Sequence, residues 1–148
     1  MGCYDDIRGG GESLGMWAEY FPNADIHGID IYEKNLQGRF TTHTGDQSDV
    51  EFLKELIKKI GTPTIIIDDG SHVNSHMIVS FDTLFPLLKF DGGIYIVEDI
   101  YRAHPLKDGG TDERMIDHLK DLSDFCLNLH GLVPRAMHFH RGFVIVEK

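Results

Sequence analysis

Short apolar runs that stop at a carboxylate recur along this chain, and they restrict its fold more than any other feature. Residues 24–31 read as a strand ending in Asp30, and residues 39–44 as another leading into Gly45-Asp46. The β-branched run at 64–67 stops at Asp68-Asp69, and the run at 94–97 stops at Glu98-Asp99. Scattered surface acids would not line up with strand ends so regularly. Between these runs lie helical patterns. Ser48 and Glu51 have capping-box spacing, with Val50, Leu53, Ile57 and Ile60 at helical period behind them. Met77, Ile78, Phe81, Leu84, Phe85 and Leu88 form the stripe of a second helix, and Pro86 should kink or end it. A third helix is expected over about 112–129, after a polar, glycine-containing loop that reaches Gly110. Residues 137–140 and 143–146, joined by Arg141-Gly142, read as a hairpin.

Alternating strands and helices predict an α/β fold: a parallel sheet with helices on both faces. The hairpin adds an antiparallel strand at one edge. The 64–67 run should be buried on both faces, as in a parallel sheet. In such sheets ligands bind beyond the carboxyl ends of the strands, where the acids of this chain collect. A length of 148 residues suits one domain with one core.

A formal charge of −10 argues against nucleic acid and anionic membrane surfaces as partners. No apolar run approaches the ~20 residues of a membrane span. The N-terminus is polar and lacks the apolar core of a signal peptide. Cys3 and Cys126 have no metal-ligand spacing and nothing calls for a disulfide, so a reducing cytoplasm is the expected location.

Asp69, Glu98 and Asp99 end two strands expected to be neighbours, ~4.8 Å apart. Crowded carboxylates there repel unless a cation intervenes, and Mg²⁺ or Ca²⁺ suits oxygen ligands better than zinc. The alternative is that they cap the following loop or helix. His72, three residues after Asp69, stands where a general base could act, or where a loop histidine merely bonds locally. His76 is expected to face solvent, and His138 and His140 to lie on the hairpin surface. Asp30 suits the paired hydroxyls of a ribose, and Asp46 an adenine amino group or an ordinary turn. Gly9-Gly10-Gly11 precede a helix expected over residues 12–21, a place where a cofactor can approach the backbone.

These pieces together resemble the macrocin O-methyltransferase family, which includes the mycinamicin sugar methyltransferases. The resemblance runs through GCYDD at 2–6, GGGESLGMWAEYFPNADIHGIDIYEK at 9–34, GDQSD at 45–49, IIIDDGSHVNSH at 65–76, SFDTLFPLL at 80–88 and GGIYIVEDIY at 92–101. The closing MHFHRGFVIVEK looks like the family's hairpin. The DDGSH and GGxYxxED blocks are specific, whereas the glycine loop alone is not. The resemblance implies a Rossmann-like class I methyltransferase sheet, mostly parallel, that uses S-adenosylmethionine and Mg²⁺ on a sugar hydroxyl of a small glycosylated acceptor. By the same resemblance, Asp69, Glu98 and Asp99 look like the metal ligands and His72 like the general base. Tyr4, Gly10, Ser13, Asp30, Asp46, Gln47 and Asp68 fall in cofactor-binding blocks.

The match departs from the family at its start. Family members run a hydrophobic strand into the G-x-Y-D-D block, between the strands that here carry Asp30 and Asp69. In this sequence Met1 stands where that strand should be ending, and Cys3 replaces a usual glycine. The expectation is therefore a single, N-terminally shortened methyltransferase domain with weak cofactor affinity and room for homo-oligomer formation. Two rivals are a catalytically impaired interaction module and a nicotinamide oxidoreductase. The second is permitted by Asp30 but lacks the G-x-G-x-x-G fingerprint.

Overall fold

A computed structural model of the chain describes residues 9–103, 113–126 and 134–148. Tyr4, Cys3, most of the 102–110 loop and both ends of the expected 112–129 helix lie outside the described residues.

Gly10 and Gly11 hold left-handed backbone (φ 81 and 83) and turn the chain into α1, Glu12–Tyr20. The turn needs glycine at position 11 for its φ, and a β-carbon there would also displace the end of the Leu36 side chain. Arg39 closes the other end of α1 by donating to the carbonyls of Ala18, Phe21 and Ala24. It thereby satisfies acceptors that a helix C-terminus leaves open. Two strands follow: β1, His27–Asp30, and β2, Thr41–Thr44. Both are shorter than the sequence pattern predicts.

Helix α2, Val50–Ile60, begins one residue later than a Ser48 cap requires. Its cap is Asp49, which accepts from the amides of Glu51 and Phe52, an arrangement worth about 1 kcal/mol. Ser48 instead donates its amide and hydroxyl to Asp46 at 2.8 and 2.7 Å, so the predicted capping box does not form. The buried face of α2 is Leu53 and Leu56, while Val50, expected in the stripe, is exposed.

Strand β3, Ile65–Asp68, leads to α3, Asn74–Leu84, which ends in a 3₁₀ turn over Phe85–Leu87 where Pro86 removes an amide donor. Strand β4, Ile94–Val97, precedes α4, Met115–Cys126, and the hairpin is β5, Ala136–Phe139, with β6, Val144–Glu147. Buried Asn74 accepts the Met115 amide at 2.9 Å and so joins the start of α3 to the start of α4.

Among the described residues the strands lie in two sheets, with no ladder joining the strands that carry Asp30 and Asp68. β1 and β2 pair in parallel, and a second sheet has the order β3-β4-β6-β5. Within it β3 and β4 are parallel, while β6 runs antiparallel to both β4 and β5. The break falls between β1 and β3, where the family resemblance places a further strand. It also explains why the 64–67 run is not buried on both faces: β3 is the outer strand of its sheet, and Ile65 is 40% exposed. Ile66 lies on the opposite face, paired with Tyr95, and packs on the core. That core joins Tyr95, Val97, Val144 and Val146 of the sheet to Met77 and Phe81 of α3 and to Met115 and Leu119 of α4. Phe81 stands edge-on to Tyr95, ring centres 5.1 Å apart.

Candidate active site

The parallel register aligns Asp68 with Val97, so the residues that follow, Asp69 on one strand and Glu98-Asp99 on the other, leave the sheet side by side. Glu98 donates its amide to the Asp68 carbonyl at 2.9 Å and fixes that alignment. The carbonyl of Gly142, in the β5–β6 turn, accepts the Ile100 amide at 3.1 Å and supports the next residues.

At this edge Asp69, His72 and Asp99 each direct a ligand atom into one group, all within 4.8 Å of one another. His72 Nε2 lies 3.8 Å from Asp69 Oδ1 and 3.9 Å from Asp99 Oδ2. His72 Nδ1 is buried with no hydrogen-bond partner among the described residues. Arg102 Nη1 approaches the same Asp99 oxygen at 3.4 Å from a solvent-exposed position. His72 and Asp99 both have left-handed backbone, at φ 56 and 49. Such geometry in a non-glycine residue is strained and collects at functional sites.

Glu98, expected as a metal ligand, stands outside this tightest group but feels it. Burial first, then the charges of Asp69 and Asp99, push its carboxyl above the ordinary value. Repulsion of that kind is relieved by a cation. The oxygen-rich donor set, with two aspartates at its centre and a glutamate beside them, fits a hard divalent ion such as Mg²⁺.

Of the other sequence-picked residues, Asp30, Asp46 and Asp68 stand at or just past the ends of parallel strands, and Gly10 and Ser13 at the start of α1. Asp30 is buried at the end of β1; it accepts the Tyr32 amide at 2.9 Å and faces the buried Lys34 ammonium at 4.0 Å. Asp46 accepts twice from Ser48. Burial works to raise its carboxyl, but those hydrogen bonds and nearby His76 outweigh it and bring it below the ordinary value. Gly10 forms the turn into α1 and Ser13 is exposed in its first helical turn. Asp68 is buried inside protein: Tyr95 donates to one oxygen at 3.1 Å and Gln47 to the other at 3.1 Å. Its burial pushes the carboxyl up to about 6 against the pull of those donors and of the Gly70 amide.

His76 does not face solvent as predicted. It is half-buried, and its Nδ1 lies 3.2 Å from the Ser71 hydroxyl. His138 pairs with Glu147 at 3.0 Å on the exposed hairpin, and His140 stacks on Phe143 beyond the end of β5. Sequence reasoning missed Lys34, Tyr95 and Ser71. A tyrosine inside a buried strand needs a partner for its hydroxyl, and that was the available signal for Tyr95.

A split α/β sheet with acids at the carboxyl ends of its parallel strands and an antiparallel closing hairpin defines the class. This is the class I methyltransferase fold, and the chain superposes on the MycE methyltransferase of mycinamycin biosynthesis with a TM-score of 0.86 at 36% identity, covering 99% of this chain and 42% of that one. That structure is a complex with Mg, SAH and mycinamycin VI. The homologues of the chain are sugar O-methyltransferases of the tetracenomycin, mycinamicin and macrocin kinds. The 8-demethyl-8-alpha-L-rhamnosyl tetracenomycin-C 2'-O-methyltransferase of Streptomyces olivaceus is 36% identical, over 100% of this chain and 44% of its own length. The mycinamicin VI 2''-O-methyltransferase of Micromonospora griseorubida is 42% identical over 70% of this chain and 26% of its own length. The demethylmacrocin O-methyltransferase of Streptomyces fradiae is 41% identical over 76% of this chain and 29% of its own length. The chain thus spans less than half the length of each of these relatives. No protein-family model matches it. Among the described residues no helix is long and apolar enough to cross a membrane.

Proposed function

We propose that this chain carries the catalytic core of an S-adenosylmethionine-dependent, Mg²⁺-assisted O-methyltransferase acting on a sugar hydroxyl of a glycosylated natural product in the cytoplasm. The observation that carries this reading is the convergence of Asp69, His72 and Asp99 beyond neighbouring parallel strands. The homologues supply the reaction class.

In this reading Asp69 and Asp99 hold the cation, with Glu98 beside them. Bound there, Mg²⁺ would acidify and orient the acceptor hydroxyl. His72 removes the hydroxyl proton at Nε2 as the oxygen attacks the methyl carbon. The imidazolium so formed is held between the Asp69 and Asp99 carboxylates, both within 4 Å. As the oxygen–carbon bond forms, the carbon–sulfur bond breaks and the donor leaves as a neutral sulfide, so no further charge needs removal. The glycine turn at Gly10-Gly11 lets the donor approach the backbone. Tyr4, Ser13, Asp30 and Asp46 complete the donor side of this reading, whereas Gln47 and Asp68, expected there too, are bonded to protein groups and stand behind it. Asp30 reaches a ribose only if its carboxylate exchanges the Tyr32 amide or Lys34 for hydroxyl donors.

Calorimetric titration of the purified chain with S-adenosylhomocysteine, with and without Mg²⁺, tests the reading. Saturable binding supports it and directs the search to sugar acceptors. A folded chain that binds neither ligand sinks it for the isolated chain and favours an impaired interaction module.

A further inference from the structure

We propose that Gln47 is a positioning residue: it fastens the loop that bears Asp69 and His72 to the loop that follows β2. The proposal takes the roles of Asp69 and His72 from the methyltransferase reading; the fastening itself rests on geometry alone.

Gln47 belongs to the two-stranded side of the molecule, three residues after β2 ends at Thr44. The strands on either side of the break share no hydrogen-bond ladder. The Gln47 side chain spans this division. Its Nε2 donates to Asp68 Oδ1 at 3.1 Å, and its Oε1 accepts the Ser71 amide at 2.6 Å. The two bonds grip the chain on either side of Asp69 and immediately before His72. The Gln47 carbonyl accepts the Ser80 hydroxyl of α3 at 3.4 Å, which anchors the residue from a third direction.

The intervening residue has adapted to this contact. A β-carbon on Gly70 would collide with the Gln47 amide, so glycine there admits the side chain. Ser71, held at its amide by Gln47, uses its hydroxyl to accept the Val73 amide at 3.2 Å and contacts His76 at 3.2 Å. The backbone from Asp68 to Val73 is therefore pinned at successive points around His72, whose left-handed φ of 56 requires such support. A residue serving only as a donor-binding group would leave its amide available. Here both ends of the amide are already bonded to the loop.

The test compares the unaltered chain with Gln47→Met, which keeps side-chain length and loses both bonds, and with Gln47→Glu. The glutamate keeps an acceptor for Ser71 but sets a carboxylate against Asp68. Three quantities are read: exchange of the Ser71 amide by mass spectrometry, Mn²⁺ binding by electron paramagnetic resonance without S-adenosylhomocysteine, and S-adenosylhomocysteine affinity by calorimetry. Gln47→Met should speed Ser71 exchange about tenfold. It should also weaken Mn²⁺ binding about tenfold or more, as loss of a group that orients metal ligands does. Gln47→Glu should restore part of the Ser71 protection. Loss of S-adenosylhomocysteine affinity alone, with Ser71 exchange and Mn²⁺ binding unchanged, overturns the proposal and makes Gln47 a donor contact only. If the unaltered chain binds no Mn²⁺, the metal reading fails and Ser71 exchange decides the fastening. If Gln47→Met does not fold, Gln47→Glu decides it through the lost Asp68 bond: weaker Mn²⁺ binding with Ser71 protection largely kept supports the fastening, and unchanged Mn²⁺ binding overturns it.

Discussion

His72 Nε2 stands 3.9 Å from Asp99 Oδ2, and these are the two non-glycine residues with left-handed backbone among the described residues. Each comes from a different loop, one after β3 and one after β4, so strain on both sides converges on one point. Folding tolerates such strain where surrounding contacts fix the chain, as the Gln47–Ser71 and Ile100–Gly142 bonds do here.

Replacing His72 with asparagine separates backbone from chemistry, because asparagine accepts left-handed φ better than most residues. Under the proposed mechanism, His72→Asn lowers kcat about 10²–10⁴-fold by removing the general base. S-adenosylhomocysteine affinity and melting temperature stay near those of the unaltered chain. Methyl transfer from labelled donor to rhamnosylated polyketides, with calorimetry alongside, checks this.

Arg102 competes for the oxygen that a metal would take. Its guanidinium is 3.4 Å from Asp99 Oδ2 and largely exposed, so the pair is worth only about 0–1 kcal/mol. Arg102→Ala should therefore tighten Mn²⁺ binding, by no more than about fivefold. Asp69→Asn and Asp99→Asn should each weaken it by far more, and chelation should stop methyl transfer in the unaltered chain. Paramagnetic titration of the three variants would reveal whether their order is reversed.

Tyr95 is a stability residue reaching toward the site. Tyr95→Phe leaves the buried Asp68 oxygen without its donor, at about 1–3 kcal/mol. The sign of the pH dependence follows from Asp68, whose carboxyl rises from 3.8 to about 6 on folding. The folded chain keeps that proton longer than the unfolded chain, so this contribution is full below the unfolded value and is lost as pH rises through about 6. Tyr95→Phe should enlarge the loss, which urea unfolding across that range measures. An unchanged midpoint at high pH would contradict the role given to the hydroxyl.

His43, in β2 opposite Ile29, works in the opposite sense. Burial first, then the neighbouring His27 and Lys59 charges, hold its imidazole below 6.5. His27 Nδ1 lies 3.1 Å from His43 Nε2. The unfolded chain then takes up a proton that the folded chain resists, so stability falls as pH drops through 6.5 and levels off below the folded value. His43→Gln should flatten this part of the profile. Denaturant midpoints at about pH 7.5 and pH 5.5 that fall equally in both proteins would contradict it.

The acids at strand ends were legible because a parallel strand delivers its last residue to one edge of the sheet, whatever the rest of the chain does. Asp30, Asp68, Asp69, Glu98 and Asp99 could be picked by position for that reason. The helix stripe through Met77, Phe81 and Leu84 was equally legible, since its period is local. The capping box at Ser48 was misread because Asp49, one residue on, offers a better-placed carboxylate. Burial of Ile65 was misread because a β-branched run records preference for a sheet and not the strand's place within it.

What the sequence determined by itself is the alternation of elements and the identity of the groups at their ends, both set by short-range periodicity and turn chemistry. What only the tertiary structure decided is the company those groups keep. His72 rather than Glu98 closes the tightest cluster, Asp68 turns inward to Tyr95, and Gln47 reaches across two sheets to hold the loop between them. Those pairings join residues up to 27 positions apart, so they depend on how sheets and loops pack, which no local pattern encodes.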